Sequence, residues 1–103
     1  MINGVIIVQV LVTYDVSTQT PAGRKRLRQV AQICVNYGQR VQKSVFECMV
    51  DQIQYELMVN QLLACINQKE DSLRIYRIRE PKERFVKEYG NKRSIDFNEP
   101  LIF

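Results

Sequence analysis

Two amphipathic stripes of similar length, each entered from a strand-like apolar run, with a further such run after the second, predict an α+β fold. The expected arrangement is a ferredoxin-like β-α-β-β-α-β sandwich, with both helices on one face of the sheet. The first run, VIIVQVLVTY at residues 5–14, is aliphatic and β-branched without a clean period of two, as expected for a strand covered on both faces. Thr20 and Pro21 then supply a helix start, threonine as N-cap and proline at the first helical position. Leu27, Val30, Ala31 and Cys34 follow at i, i+3, i+4 and i+7, and Gly38 offers the stop, so the first helix is expected over 21–37.

Residues 40–50, RVQKSVFECMV, alternate as one strand, with Phe46, Cys48 and Val50 on one side and Val45 and Met49 on the other. Asp51 and Gln54 form a capping-box pair, and Tyr55, Met58, Val59, Leu62 and Ile66 build the stripe of a second helix over 52–67. The polar turn NQKED leads to a third strand, SLRIYRIR, at 72–79, and ERFVKEYG after Pro81 is expected to add a short fourth. The tail SIDFNEPLIF ends in apolar residues that want a partner. With both helices on one face and a first strand apolar on both, a homodimer packing sheet against sheet through the same patch is the simplest resolution.

At 103 residues the chain is expected to be one domain, 1–103, large enough to bury roughly 60–68% of its unfolded surface around one core. A hydrophobic fraction of 46% with 25% charged residues places it among ordinary globular proteins. A net charge of +4 mildly favours a polyanionic partner. Cys34, Cys48 and Cys65 are too widely spaced for a metal clamp and odd in number, so they are expected to be small buried residues in a reducing cytoplasm. The apolar run Val5–Val12 is too short to span a bilayer and has no basic segment before it, so neither membrane insertion nor export is expected.

The chain has no histidine. That excludes a self-contained Ser/His/Asp hydrolase, a paired-histidine ribonuclease and a histidine-ligated zinc site. Chemistry near neutral pH is left to carboxylates holding a hard cation such as Mg²⁺ or Mn²⁺. Asp15, at the lip of the first strand, is the candidate. One carboxylate holds such a cation poorly, but a two-fold axis beside the strand end would bring a second Asp15 near the first. The alternative is a structural Asp15 that turns the loop with Ser17 and Thr18.

Arg24, Lys25, Arg26 and Arg28 fall in the first turns of the first helix, where cations oppose the helix dipole, so helix stability does not ask for them. An anionic partner would explain them, and Arg40 and Lys43 extend the positive surface. A solvated charged face is the alternative.

Taken in order, LVTYDV, the arginine-rich helix with NYGQRVQKSVFEC, then SLRIYRI and the ending SIDFNEPLIF resemble the small CRISPR-associated Cas-two family, from about residue 10 to Phe103. That family usually begins only a few residues before its YD strand, so residues 1–9 are either a strand extension or the product of a mis-set start. The resemblance implies a ferredoxin-like homodimer with Asp15 of each subunit near the two-fold axis, and a C-terminal segment, about 80–103, that pairs with the partner subunit. It implies a metal-dependent endonuclease on RNA or DNA that takes part in spacer acquisition with the Cas-one integrase. By motif position Asp15 would be the catalytic residue and the ligand of Mg²⁺ or Mn²⁺, with Tyr14 its strand neighbour. Arg24, Arg26, Arg28, Arg40 and Lys43 would bind the nucleic-acid backbone, and Ser44, Phe46 and Glu47 belong to the shared motif, Phe46 as core rather than as a stacking platform. Two alternatives are a non-catalytic dimeric DNA scaffold of the integration complex, and an unrelated ferredoxin-like regulator or toxin-type ribonuclease.

Overall fold

A computed structural model of the chain describes residues 6–79 and 82–90. Expectations that fall on residues 1–5, 80–81 and 91–103, including the C-terminal pairing segment and the SIDFNEPLIF ending, lie outside the described residues. The order of elements is β1 (Val8–Asp15), α1 (Pro21–Tyr37), β2 (Gly38–Gln42), β3 (Val45–Val50), α2 (Gln52–Cys65), β4 (Ser72–Ile78) and a single helical turn, α3 (Lys82–Phe85). The four strands form one antiparallel sheet in the order β2-β3-β1-β4, so the ferredoxin-like β-α-β-β-α-β arrangement expected from the sequence is the one found.

Both helices start where their capping residues dictate. The Thr20 side chain accepts from Gly23 N–H with Pro21 at the first helical position, and Asp51 and Gln54 close a reciprocal capping box. Gly38 ends α1, its N–H donating to the Cys34 carbonyl, and opens β2 with no intervening loop. Its backbone is extended and open to any residue; what demands glycine is space, because a Cβ there would run into the Glu47 carbonyl and the Cys48 sulfur.

Two expectations are corrected. Residues 40–50 are not one strand but parts of two, β2 and β3, joined by a turn at Lys43 and Ser44, and this hairpin supplies the fourth strand. The segment after Pro81 forms the α3 turn, and no strand follows it among the described residues. The hairpin shifts register between Arg40 and Gln42, which carries the chain through the turn.

The core lies between the helices and one sheet face. Val8, Val10, Val12 and Tyr14 of β1 and Phe46, Cys48 and Val50 of β3 meet Leu27, Val30, Ala31 and Cys34 of α1 and Met58 and Leu62 of α2. Cys34 and Cys48 are buried as expected, and Cys65 is half-buried. Burial, with the neighbouring Cys48 thiol, pushes Cys34 up to about 12, and burial, with Glu47, pushes Cys48 up to about 11, so neither is a nucleophile near neutral pH.

The other face carries neither α1 nor α2, and the α3 end reaches it, Phe85 and Val86 lining a cavity with Leu11, Glu47, Tyr76 and Ile78. It presents Gln9, Leu11, Thr13 and Asp15 of β1 beside Val45, Glu47 and Met49 of β3 and Ser72, Arg74, Tyr76 and Ile78 of β4. Among the described residues α1 and α2 cover β1 on one side only, and its burial alternates residue by residue. Met49 and Tyr76 stay 63% and 45% exposed, which marks this as an unsatisfied apolar surface. Among the described residues no helix is long and apolar enough to cross a membrane.

Replacing Gly38 by alanine must push apart α1 and the β2-β3 pair. Gly38→Ala is expected to lower stability by about 1–3 kcal/mol, read as a drop in Tm of several degrees in a thermal melt. An unchanged Tm would mean that the junction yields without strain.

Candidate functional site

Strand geometry separates the two residues of the YD pair. Tyr14 turns into the core and is 6% exposed, whereas Asp15 closes β1 on the face away from α1 and α2 and is exposed to solvent. Asp15 pairs in register with Ser72, and Arg74 sits two residues along β4 on the same face, opposite Thr13.

Around Tyr14 the inner face gathers a second set of motif residues. Its ring stacks on Phe46 with centroids 6.2 Å apart, and its hydroxyl donates to the Lys43 carbonyl at 3.4 Å. The Arg40 guanidinium lies over the other side of the cluster, 5.0 Å from the Phe46 centroid. Burial raises the Tyr14 phenol, helped by Cys34 and opposed by Arg40 and Ser44, so Tyr14 stays neutral through the physiological range. Arg40 is only 5% exposed, and its Nε and Nη2 find no hydrogen-bond partner. The sequence expectation of a free backbone-binding Arg40 meets a guanidinium sheathed in the core. Phe46 is core, as expected, and is fully buried.

The loop leaving Asp15 is held at several points. Ser17 N–H donates to Asp71 Oδ1 at 3.1 Å, Arg24 Nη1 donates to the Thr18 carbonyl at 3.0 Å, and the Ser17 carbonyl packs where Gly23 would carry a Cβ. Ser44 contributes its carbonyl, which accepts the Tyr14 N–H at 3.1 Å and ties the hairpin turn to β1.

The arginines of α1 do not act alike. Arg24 and Arg28 are exposed with Lys25, and Lys43 is exposed at the hairpin tip. Arg26 is instead engaged: its Nε donates to Asp71 Oδ2 at 2.8 Å and its Nη2 to Glu70 at 3.0 Å, with the Arg26 side chain 15% exposed and that of Asp71 fully buried. Two participants are not among the residues singled out by sequence. Asp71 lies in a polar turn, and nothing in NQKED marks which acid turns inward. Arg74 is visible in principle, since alternation in SLRIYRIR puts Ser72, Arg74 and Tyr76 on one side; its Nη1 donates to the Tyr76 hydroxyl at 3.0 Å.

Among the described residues no group of three or more histidine, cysteine, aspartate or glutamate side chains could hold a metal ion. At the end of β1, Asp15 is thus an exposed carboxylate that belongs to no such group among the described residues. That fits Mg²⁺ or Mn²⁺ only if a second carboxylate, water or substrate phosphate completes the shell.

Residues 8–85 match the sequence family described as CRISPR associated protein Cas2. The chain belongs to that family. It is 59% identical over 93 residues to a CRISPR-associated endoribonuclease Cas2 of Moorella thermoacetica, spanning 90% of this chain and 97% of the relative. It is 52% identical over 94 residues to a CRISPR-associated endonuclease Cas2 of Halalkalibacterium halodurans, spanning 91% and 98%. The crystal structure of Streptococcus pyogenes Cas2 at pH 6.5 superposes with a TM-score of 0.71 at 52% identity, covering 80% of this chain and 99% of that one. The Cas2 resemblance seen in the motifs therefore extends to sequence and fold.

The buried charges of the site differ in how completely they are bonded, and stability should register the difference. Arg40→Met replaces an incompletely bonded buried cation with an apolar chain of similar length, so Tm should hold or rise, whereas Phe46→Ala should cost about 3–5 kcal/mol. A large drop in Tm for Arg40→Met would show that the guanidinium is fully compensated. Burial alone would raise the Asp71 carboxyl, but Arg26 and the N–H groups of Asn67 and Ser17 outweigh it and hold it below the usual carboxylate range. Its contribution to stability is then complete above the unfolded value of about 4 and is lost as pH falls below it. Urea midpoints measured from neutral pH down into that acid range should fall more steeply for the wild type than for Asp71→Asn, and parallel curves would contradict the assignment.

Proposed function

We propose that this Cas2-family chain is a homodimeric, metal-dependent endonuclease acting on RNA or DNA phosphodiesters, and that it takes part in spacer acquisition with the Cas-one integrase. The observation that carries the reading is the position of Asp15: exposed, at the end of a central strand, on the face that also bears unsatisfied apolar surface. A second copy covering that face across a two-fold axis would use the same patch twice and bring another Asp15 to the same lip. The names of the Moorella and Halalkalibacterium relatives, endoribonuclease and endonuclease, support the activity.

In this reading the two Asp15 carboxylates hold Mg²⁺ or Mn²⁺ between subunits. Such an ion, when bound, lowers the pKa of coordinated water and offsets charge on the scissile phosphate. Arg24, Arg28 and Lys43, exposed beside or beyond the lip, take backbone phosphates and hold the strand in place without reading its bases. Tyr14 and Phe46 keep to the core and shape the strand end. With no histidine in the chain, the general base left is a carboxylate or a hydroxide that a bound metal would supply, so cleavage should be slow and should rise with pH.

A non-catalytic scaffold is the second reading, favoured by the exposed Arg24, Lys25 and Arg28 and by the lack of a metal-holding cluster among the described residues. The two separate cleanly. Asp15→Ala should abolish metal-dependent cleavage while leaving duplex affinity nearly intact; undiminished cleavage, with contaminating nuclease excluded, removes Asp15 from the site. Arg24→Ala combined with Arg28→Ala should reduce the salt slope of duplex binding by about two, and an unchanged slope would return both arginines to the solvated surface.

A further inference from the structure

One residue before the β4 partner of Asp15 lies an acid that accepts four hydrogen bonds. Asp71 immediately precedes Ser72, the register partner of Asp15 on β4. Its Oδ1 accepts the Ser17 N–H at 3.1 Å and Arg26 Nη2 at 3.3 Å. Its Oδ2 accepts Arg26 Nε at 2.8 Å and the Asn67 N–H at 2.9 Å. Three segments meet on one carboxylate: the loop two residues past Asp15, the second turn of α1, and the turn that delivers β4. Glu70 accepts from the same Arg26 Nη2 at 3.0 Å, and the turn is closed by the Asp71 N–H on the Asn67 carbonyl at 2.7 Å.

Arg26 commits Nε and Nη2 to the two acids and keeps its side chain only 15% exposed, which leaves Nη1 alone for any other partner. A buried carboxylate stripped of its guanidinium is left with uncompensated charge, so releasing Arg26 to a ligand would be strongly unfavourable. The bidentate geometry is also specific to arginine, since a lysine ammonium makes one point contact where the planar fork makes two.

We propose that Asp71, locked by Arg26, is the positioning residue of the Asp15 site, and that Arg26 is not a nucleic-acid contact. The clamp fixes both flanks of Asp15. On one side Ser17 N–H is pinned, and on the other the β4 backbone at Ser72 begins from the clamped residue itself. The direction in which Asp15 leaves the sheet is set by those two anchors. This inference rests on the reading of Asp15 as the catalytic carboxylate, and it also makes a claim about binding that does not depend on cleavage.

Three variants of the full-length protein, Arg26→Ala, Arg26→Lys and Asp71→Asn, are compared with the wild type and with Asp15→Ala. Secondary structure by circular dichroism and oligomeric state by gel filtration select those that fold. The salt slope of duplex binding should be unchanged in Arg26→Ala or, if that variant does not fold, in Asp71→Asn, which frees Arg26 without deleting it and should not steepen the slope. A slope lower by about one in Arg26→Ala, or steeper by about one in Asp71→Asn, would make Arg26 a phosphate contact and overturn the proposal. In cleavage, Asp71→Asn should lose about 10–100-fold in kcat with KM unmoved, and Arg26→Lys should recover part of what Arg26→Ala loses. Wild-type kcat in Asp71→Asn, with Asp15→Ala inactive, overturns the clamp alone. Undiminished cleavage by Asp15→Ala overturns the catalytic reading beneath it.

Discussion

Tyr14 and Asp15 are neighbours on a strand, and a strand turns neighbouring side chains to opposite faces; most of what this molecule can do descends from that alternation. Because Val8, Val10, Val12 and Tyr14 are all taken by the core, Asp15 has only the face away from α1 and α2 to occupy. Its pairing with Ser72 and the pairing of Thr13 with Val45 and Arg74 leave no freedom of register, since a slip of one residue would drive a carboxylate into the core and a tyrosine out of it. The YD pair is thus one core residue and one solvent-facing acid, locked together by the backbone. The same parity explains why Arg40 and Phe46 belong with Tyr14, while Glu47, in the same motif, belongs with Asp15.

Charge inside and behind the sheet is treated in two different ways. The Arg26–Asp71 fork is closed, with four accepted hydrogen bonds on one carboxylate and Arg26 Nη2 reaching Glu70 as well. Arg40 is open by comparison, resting on the face of Phe46 with two buried nitrogens unmatched. The first arrangement stiffens the loop around Asp15. The second sits on an edge strand beside the register shift of the β2-β3 hairpin, where the sheet has the fewest constraints.

Much of this architecture is legible in the amino-acid sequence. Thr20 with Pro21, Gly38, and Asp51 with Gln54 mark helix ends because each satisfies a specific orphan backbone group, and those groups are the same in every helix. The α1 stripe is legible because Leu27, Val30, Ala31 and Cys34 have a single consistent environment. The hairpin is not, since Lys43 and Ser44 carry no glycine, proline or asparagine and the apolar alternation runs on past them. The short strand expected after Pro81 is absent among the described residues because ERFVKEYG lacks a strict period, and a four-residue turn of helix uses the same residues. At the site, Asp15 is visible from its place at the mouth of a strand. The division of the arginines is not, because a sequence displays each charge without what lies across from it, and the acid that claims Arg26 is 45 residues away along the chain.

The proposed catalytic site needs two Asp15 side chains sharing one ion at a subunit boundary. Titration of the purified wild-type protein with Mn²⁺, followed by electron paramagnetic resonance, counts that ion directly. A shared site holds about one Mn²⁺ tightly for every two chains, with binding lost when Asp15 becomes alanine. One ion on every chain, or retention of the ion by the alanine variant, would contradict it.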